Sequence, residues 1–456
     1  MKNADIWSGR RVVVLGMARS GVAVAKCLHE LNAKVLVNDL KPREACPEAE
    51  ELEKIGIPVI CGSHPDDLIH DEVEWLVKNP GIPYDAKPVV QALEKGIPVI
   101  TEVEIAGRLS DAPMIGITGS NGKTTTTSLV GEMLTKSGIQ NQVAGNIGQA
   151  LTEVVRHNPE NKWLVAELSS FQLKGTRQFK PDIAALLNVY PAHLDYHKDM
   201  DDYIASKMKL FINQTSEDVA VLNWDHPKCK SLACQIESDI WWFSRMSEVP
   251  KGVFIREGMV TARIGDEAEP VIPVKEIALR GEFNLENVLA ATAISLAAGA
   301  KTSAIGEVLK SFRGVEHRLE YVATINGVRF YNDSKATNPQ AAFKALDSFD
   351  EPVVWIGGGL DRGTDFKELI PVLQKRAKAL IAYGQTKDIL TKRGADAGLK
   401  EVHGVDCLEE AVKQAFELAE PGDVVLLSPA CASWDQYTSF EERGSIFKET
   451  VHSLQI

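Results

Sequence analysis

The chain has 456 residues, 44% of them hydrophobic and 25% charged, with a formal net charge of -13. That length exceeds what one hydrophobic core usually spans, so two or three domains are expected. The acidic balance argues against a general affinity for nucleic acid, and no run approaches the ~18 apolar residues that cross a bilayer. Seven cysteines, at 27, 46, 61, 229, 234, 407 and 431, include no CxxC pair, which favours a reducing compartment over a disulfide framework or a structural zinc. The opening MKNADIWSGRRVVVLG has no apolar signal-peptide core, so a cytoplasmic location is expected.

In chain order, RVVVL at 11–15 reads as a buried strand, followed by a glycine turn, GMARSG at 16–21, and the helical stretch VAVAKCLHEL. A second strand, KVLVN, leads into Asp39, and shorter apolar runs follow in VEWLV (73–77) and PVIT (98–101). Near Thr101 a new unit opens with a helix in TEVEIAGRL, then a strand in PMIGIT (113–118) that enters a glycine-rich loop. WLVAEL (163–168) and IAALLNV (183–189) read as strands, and 250–280 as hairpin material turning at Gly252, Gly258 and Gly265. An Ala-rich helix, NVLAATAISLAAGA, is expected from near Asn287. Beyond Val315, strands are expected in PVVWIGGG (352–359), ALIAYG (379–384) and DVVLLSPA (423–430). Strands alternating with helices imply parallel sheets with right-handed crossovers. The expected class is α/β in three domains, 1–101, 102–314 and 315–456.

The sharpest local signal is GITGSNGKTTTTSLVGEML, which begins at Gly116. A strand runs through a glycine-rich loop into a helix, so backbone N–H groups and the helix dipole face one spot that suits phosphate. Lys123 adds a point charge and Thr124 a hydroxyl for Mg²⁺. Leu129, Val130, Met133 and Leu134 form a stripe to bury, and Gly138 suits the helix end. The usual GxxxxGK[ST] spacing needs Gly at 117, where this chain has Ile117. Taken alone, the loop indicates a bound phosphate and leaves kinases, motors and ligases open.

GSNGKTT at 119–125 resembles the ATP loop of the Mur ligase and folylpolyglutamate synthase superfamily, and further motifs recur in that superfamily's order. They are GNIG (145–148), ELSSFQL (167–173), HLD (193–195) with Lys207 downstream, GEFNLEN (281–287), HR (317–318), NDSKATNP (332–339) and SPACASWDQYTSFEERG (428–444). The resemblance covers nearly the whole chain. It implies a Rossmann-like N-terminal domain for a UDP-substrate, a central P-loop-type ATPase domain and a Rossmann-like C-terminal domain that brings an amino acid. NDSKATNP and SPACASWDQ together resemble the D-glutamate-adding branch. That implies ATP-dependent ligation of D-glutamate to UDP-N-acetylmuramoyl-L-alanine through an acyl phosphate, in peptidoglycan precursor synthesis. Another Mur ligase, a folylpolyglutamate synthase-like ligase, and a P-loop ATPase regulatory module are the alternatives.

Carried onto this chain, the resemblance gives catalytic roles to Lys123, Glu167, His193 and Lys207. It places ATP on Gly119, Ser120, Asn121, Gly122, Lys123, Thr124 and Thr125, with Asn287 (and Asn284) on the adenine side. Arg318 falls on phosphate, Asp333 on ribose, and Lys335 near the phosphates. Two Mg²⁺ ions fall to Thr124, Glu167, His193 and Lys207, the last as a carbamate formed with CO₂, with Lys209 as the neighbouring alternative. The UDP-substrate falls to Ala18, Arg19, Ser20, Asp39 and Asn146, and D-glutamate to Thr337, Arg362, Ser433 and Phe440. A family lysine often stands where this chain has Arg362. Each position also has a plain structural use: turn formation for the first domain's residues, helix capping for Asn287, core packing for Phe440, an ion pair for Arg318 and Asp333. Alone, GMARSG with Asp39 suits an NAD site as well as a UDP-sugar. His193 and His197 invite a zinc reading, but no further ligands stand at suitable spacing. A monomer with small-molecule substrates, and no nucleic-acid or membrane partner, is expected.

Overall fold

The computed structural model describes residues 2–158, 162–194, 196–279 and 282–454. Asp195 of the HLD motif and Gly281 of GEFNLEN lie outside the described residues. The chain divides into two compact units, Met1–Phe312 and Arg313–Ile456.

The first unit begins with β1 (Arg11–Leu15), β2 (Lys34–Asp39), β3 (Val59–Cys61), β4 (Trp75–Lys78) and β5 (Val99–Ile100). They form a parallel sheet in the order β3-β2-β1-β4-β5. Val12 and Val14 pack into one core and Val13 and Leu15 into another. Burial on both faces is why β1 reads as an unbroken apolar run instead of an alternating one.

A second sheet follows: β6 (Met114–Thr118), β7 (Asn141–Gly145), β8 (Trp163–Glu167), β9 (Ile183–Leu186), β10 (Val219–Asn223), β11 (Asp239–Ser244), β12 (Gly252–Arg256), β13 (Met259–Arg263) and β14 (Ala268–Pro273). Its order is β14-β13-β12-β11-β10-β9-β6-β8-β7, parallel from β7 to β12 and antiparallel at β13 and β14. β6 lies between β8 and β9, with Ile117 opposite Glu167 and Thr118 opposite Leu186. The carboxyl ends of three parallel strands therefore open at one sheet edge, the usual place for a ligand in such sheets. The helix Lys123–Lys136 docks there through Leu129, Val130, Met133 and Leu134, all fully buried. Each such side chain contributes about 1.5–3 kcal/mol.

The second unit holds β15 (Glu320–Ile325), β16 (Val328–Asn332), β17 (Val353–Gly358), β18 (Ala377–Tyr383), β19 (Glu401–Gly404) and β20 (Val424–Leu427). The order is β15-β16-β20-β17-β18-β19, parallel except for the β15–β16 hairpin. The α/β class with three parallel-sheet domains, expected from the sequence, is the class the chain adopts. Four details differ from the sequence reading. β3 joins the first sheet beyond the strands read from the sequence. Among its described residues the second unit has six strands where three are expected. β7, β10 and β11 extend the central sheet beyond the strands read from the sequence. The Ala-rich helix runs Glu282–Ala297, starting earlier than Asn287.

Candidate active site

Thr118 ends β6, residues 119–122 form the loop, and Lys123 opens the helix. Gly122 has φ +81, and a Cβ there would meet Asn287 Oδ1 at 2.1 Å. Both facts demand glycine. They also show that the fold packs Asn287 against the phosphate loop, 165 residues of chain notwithstanding. Asn287 Nδ2 donates to Asn284 Oδ1 at 3.3 Å, so the two asparagines form a pair. Gly122→Ala is expected to raise the KM for ATP on the order of tenfold or more, measured by steady-state kinetics and nucleotide titration.

The loop is fixed from outside by side chains that the sequence did not single out. Asn188 accepts from the Asn121 N–H (2.9 Å) and donates to its carbonyl (3.2 Å). Ser120 Oγ lies 2.9 Å from Tyr203 Oη and accepts from the Tyr190 N–H at 2.9 Å. Lys123 Nζ donates to the carbonyls of Gly119 (2.9 Å) and Ser120 (3.1 Å). Thr124 is buried in the first helical turn, and Thr125 is half-buried beside it.

Lys207 belongs to the helix Met200–Met208, yet it is fully buried rather than solvated. Its Nζ donates to the Gly119 carbonyl at 2.9 Å, the same oxygen that Lys123 uses. Burial first, and the charge of Lys123 second, push its amine well below the usual lysine range. The neutral amine so favoured is the form whose lone pair attacks CO₂. Lys209 is turned elsewhere, donating to the carbonyls of Lys174 and Thr176.

Glu167, at the end of β8, is buried. Asn146 Nδ2 donates to its Oε1 at 2.8 Å, and the Asn146 N–H donates to its backbone carbonyl at 2.8 Å. Oε2 is buried with no hydrogen-bond partner. An unmatched buried carboxylate oxygen is costly and asks for a cation. His193 is exposed, takes the left-handed φ of +56, and sets its ring 4.9 Å from that of Phe171. His197 is a separate, structural residue, buried between Ser170 Oγ (3.0 Å) and Asp202 (3.3 Å). Among the described residues no three His, Cys, Asp or Glu side chains cluster as a metal site. A cation here would draw on the hard oxygens of Glu167 and Thr124, and on a carbamate at Lys207, a donor set that fits Mg²⁺.

Ala18, Arg19, Ser20 and Asn146 line one cleft of about 320 Å³, with Asn79 and Phe171 among the other walls. Asn146 thus touches both the cleft and Glu167. Arg19 donates to the Gly148 carbonyl. Asp39 is not in the cleft wall. Its carboxylate accepts from the Met17 N–H (2.7 Å) and the Lys41 N–H (2.9 Å), which secures the glycine turn.

In the second unit, Asp333 Oδ2 accepts from Ser428 Oγ at 2.9 Å and Oδ1 from the Leu319 N–H at 3.2 Å, beside the exposed Arg318. Burial raises the Asp333 carboxyl to about 7, against the opposing pull of Ser428, the Leu319 N–H and Arg318. The folded state therefore holds a proton that the unfolded chain gives up near pH 4, and stability falls as pH rises from about 4 to 7. Asp333→Asn keeps the bond from the Leu319 N–H on its amide oxygen and reverses the other, its amide nitrogen donating to Ser428 Oγ, so it should flatten that part of the ligand-free stability profile, read from urea unfolding at several pH values.

Ser433 is buried with its Oγ unpartnered. Arg362 is exposed, its guanidinium 5.0 Å from the Trp434 ring. Thr337 is half-buried, and Lys335 Nζ lies 5.1 Å from the Phe440 ring. The residue that ties these loops together, Arg443, was not read from the sequence. Fully buried, it donates to Ser334 Oγ (2.9 Å), the Ser334 carbonyl (2.8 Å) and the Cys431 carbonyl (3.1 Å). Ser334 Oγ in turn donates to the Phe440 carbonyl at 2.8 Å.

Family models match the chain in three successive segments: the Mur ligase MurD-like N-terminal domain over 10–101, the Mur ligase middle domain over 117–295, and the Mur ligase glutamate ligase domain over 317–431. The UDP-N-acetylmuramoylalanine--D-glutamate ligase of Geobacillus kaustophilus (strain HTA426) is 51% identical over 456 residues, all of both chains. That of Bacillus subtilis (strain 168) is 46% identical over the same span. Among solved structures, the MurF ligase of Thermotoga maritima in complex with ADP has a TM-score of 0.56 at 19% identity, covering 100% of both chains. The UDP-N-acetylmuramate-alanine ligase MurC of the same organism has a TM-score of 0.55 at 19% identity, covering 97% of this chain and 99% of its own. These two similarities speak to the fold, whereas half-identity from end to end, with all three domain models matched in order, makes this chain a member of the Mur ligase family.

Proposed function

We propose that the chain is a cytoplasmic, monomeric, ATP-dependent ligase that joins D-glutamate to UDP-N-acetylmuramoyl-L-alanine in peptidoglycan precursor synthesis. Its relatives at about half identity carry that activity in their names. No helix among the described residues is long and apolar enough to cross a membrane. The observation that carries the reading is the double hydrogen bond between Asn146, in the wall of the cleft, and Glu167, beside the phosphate loop. It supports an acceptor carboxylate and an ATP γ-phosphate meeting at one sheet edge.

In this reading the carboxylate oxygen attacks the γ-phosphorus, the bond to ADP breaks, and an acyl phosphate forms. The amine of D-glutamate then attacks the acyl carbon, loses a proton, and phosphate leaves. Negative charge gathers at each step, so fixed cations and dipoles supply most of the rate. Lys123 contributes its ammonium, and the loop its backbone N–H groups, at the γ-phosphate. Thr124, Glu167, His193 and a carbamate at Lys207 would hold Mg²⁺, which would supply positive charge to the phosphoryl oxygens. To form that carbamate, Lys207 Nζ bonds to the carbon of CO₂ and releases a proton, turning a buried amine into an anionic oxygen donor. Arg318 and Asp333 serve the nucleotide, and Ala18, Arg19, Ser20 and Asp39 the UDP-substrate. Thr337, Arg362, Ser433 and Phe440 receive D-glutamate, with the Arg362 fork suited to a carboxylate.

Phosphate release with the UDP-acceptor and ATP tests the assignment: D-glutamate should support turnover, with L-glutamate and L-alanine near background. Turnover with L-alanine or a diamino acid in place of D-glutamate would assign a different reaction within the family.

A further inference from the structure

Lys78, the last residue of β4, is a fully buried lysine that the reaction above does not use. Its Nζ donates to the carbonyls of Ile82 (2.7 Å), Pro80 (3.1 Å) and Asn79 (3.4 Å), and to Tyr196 Oη (2.8 Å). None of these four partners is a carboxylate. Removing an ammonium from water is costly, and an apolar side chain would fill the same space without that penalty. The penalty shows in the amine itself, which burial and the nearby Lys174 lower to about 7.

The partners explain the expense. Asn79, Pro80 and Gly81 form one wall of the cleft that Arg19, Ser20 and Asn146 also line. Three carbonyls of that turn converge on one Nζ, which fixes its backbone. Asn79 packs so closely on the glycine turn of the first sheet that a Cβ on Gly16 would lie 2.9 Å from its Cβ. Tyr196 belongs to the segment that carries His193, and Phe171 contacts both rings, at 4.4 Å and 4.9 Å, while also lining the cleft. Lys174, ion-paired with Asp202, sits over the rings of Tyr84 and Tyr196 at 5.0 Å and 5.7 Å and closes the cluster.

We propose that Lys78 is a positioning residue for the acceptor substrate: it fixes the 79–82 turn that walls the cleft and, through Tyr196, couples that turn to the segment bearing His193. The inference rests on the cleft being the acceptor site, as read above. Lys78→Met keeps length and apolar packing but removes every donor, and Tyr196→Phe removes only the hydroxyl. The expected result is an acceptor KM raised about tenfold or more in Lys78→Met and a smaller rise in Tyr196→Phe, with the KM for ATP within about twofold of wild type. Because both substitutions break one link, the double variant should be no worse than Lys78→Met alone. An unchanged acceptor KM, equal rises for ATP and acceptor, or effects that multiply would overturn the coupling. Should Lys78→Met fail to fold, Tyr196→Phe alone decides, since an unaltered acceptor KM there contradicts the link. A wild-type protein that does not bind the acceptor in a direct titration overturns the functional reading and this inference with it, whereas wild-type turnover with indifferent variants overturns this inference alone.

Discussion

Lys207→Ala is expected to lower kcat for amide formation by about three orders of magnitude, a barrier increase of roughly 4 kcal/mol. The size follows from what the position contributes. A lysine held in a dry pocket on the Gly119 carbonyl, next to a second lysine, is poorly placed as a cation, and burial favours its neutral form. The proposed carbamate would resolve the conflict by placing an anion beside the Lys123 ammonium at the phosphate loop. Lys207→Arg separates the two roles, because a guanidinium stays charged and forms no stable carbamate under these conditions. Arginine should be as inactive as alanine; retention of more than about a tenth of wild-type kcat would make the role cationic. Stripping CO₂ from the buffer should also slow the wild type, and bicarbonate should restore it.

Glu167→Gln should cost about two to three orders of magnitude in kcat. The amide still accepts from Asn146 Nδ2, so the 2.8 Å contact that ties it to the cleft survives. What disappears is the negative charge on the partnerless Oε2. A binding readout isolates that loss. At a hundredfold excess over its dissociation constant, a ligand stabilises a protein by about 2.7 kcal/mol. Mg-nucleotide should raise the wild-type melting temperature accordingly, and magnesium should add little for Glu167→Gln over metal-free nucleotide. An equal magnesium-dependent shift in both proteins would remove Glu167 from the cation's holders.

Much of this architecture could be read in one dimension, and the exceptions have physical causes. The phosphate loop was legible because strand, glycines, lysine and helix are contiguous from Gly116 onward. The central strands β6, β8 and β9 were legible because burial on both faces leaves short, pure apolar runs. β15 and β16 were not, since their partly exposed residues (Glu320, Tyr321, Arg329) dilute the pattern. The helix Glu282–Ala297 is buried on nearly every side from Val288 to Ile294, so no 3.6-residue period marks where it begins. The site's supports escaped for another reason. Asn188 meets Asn121 across 67 positions, Arg443 meets Ser334 across 109 and Lys78 meets Tyr196 across 118. Spacing in sequence carries no trace of such pairs. Asp39 carries a second use that the strand pattern does not announce: at the end of the second strand, where a ribose contact is expected, its carboxylate also accepts from the Met17 and Lys41 N–H groups.

The proposed reaction depends on phosphoryl transfer from ATP onto the acceptor carboxylate at the loop headed by Lys123. An acceptor whose carboxylate carries heavy oxygen tests that step directly, through mass analysis of the phosphate released during turnover with ATP and D-glutamate. One labelled oxygen in each phosphate is the predicted result. Amide product accompanied by unlabelled phosphate would contradict it.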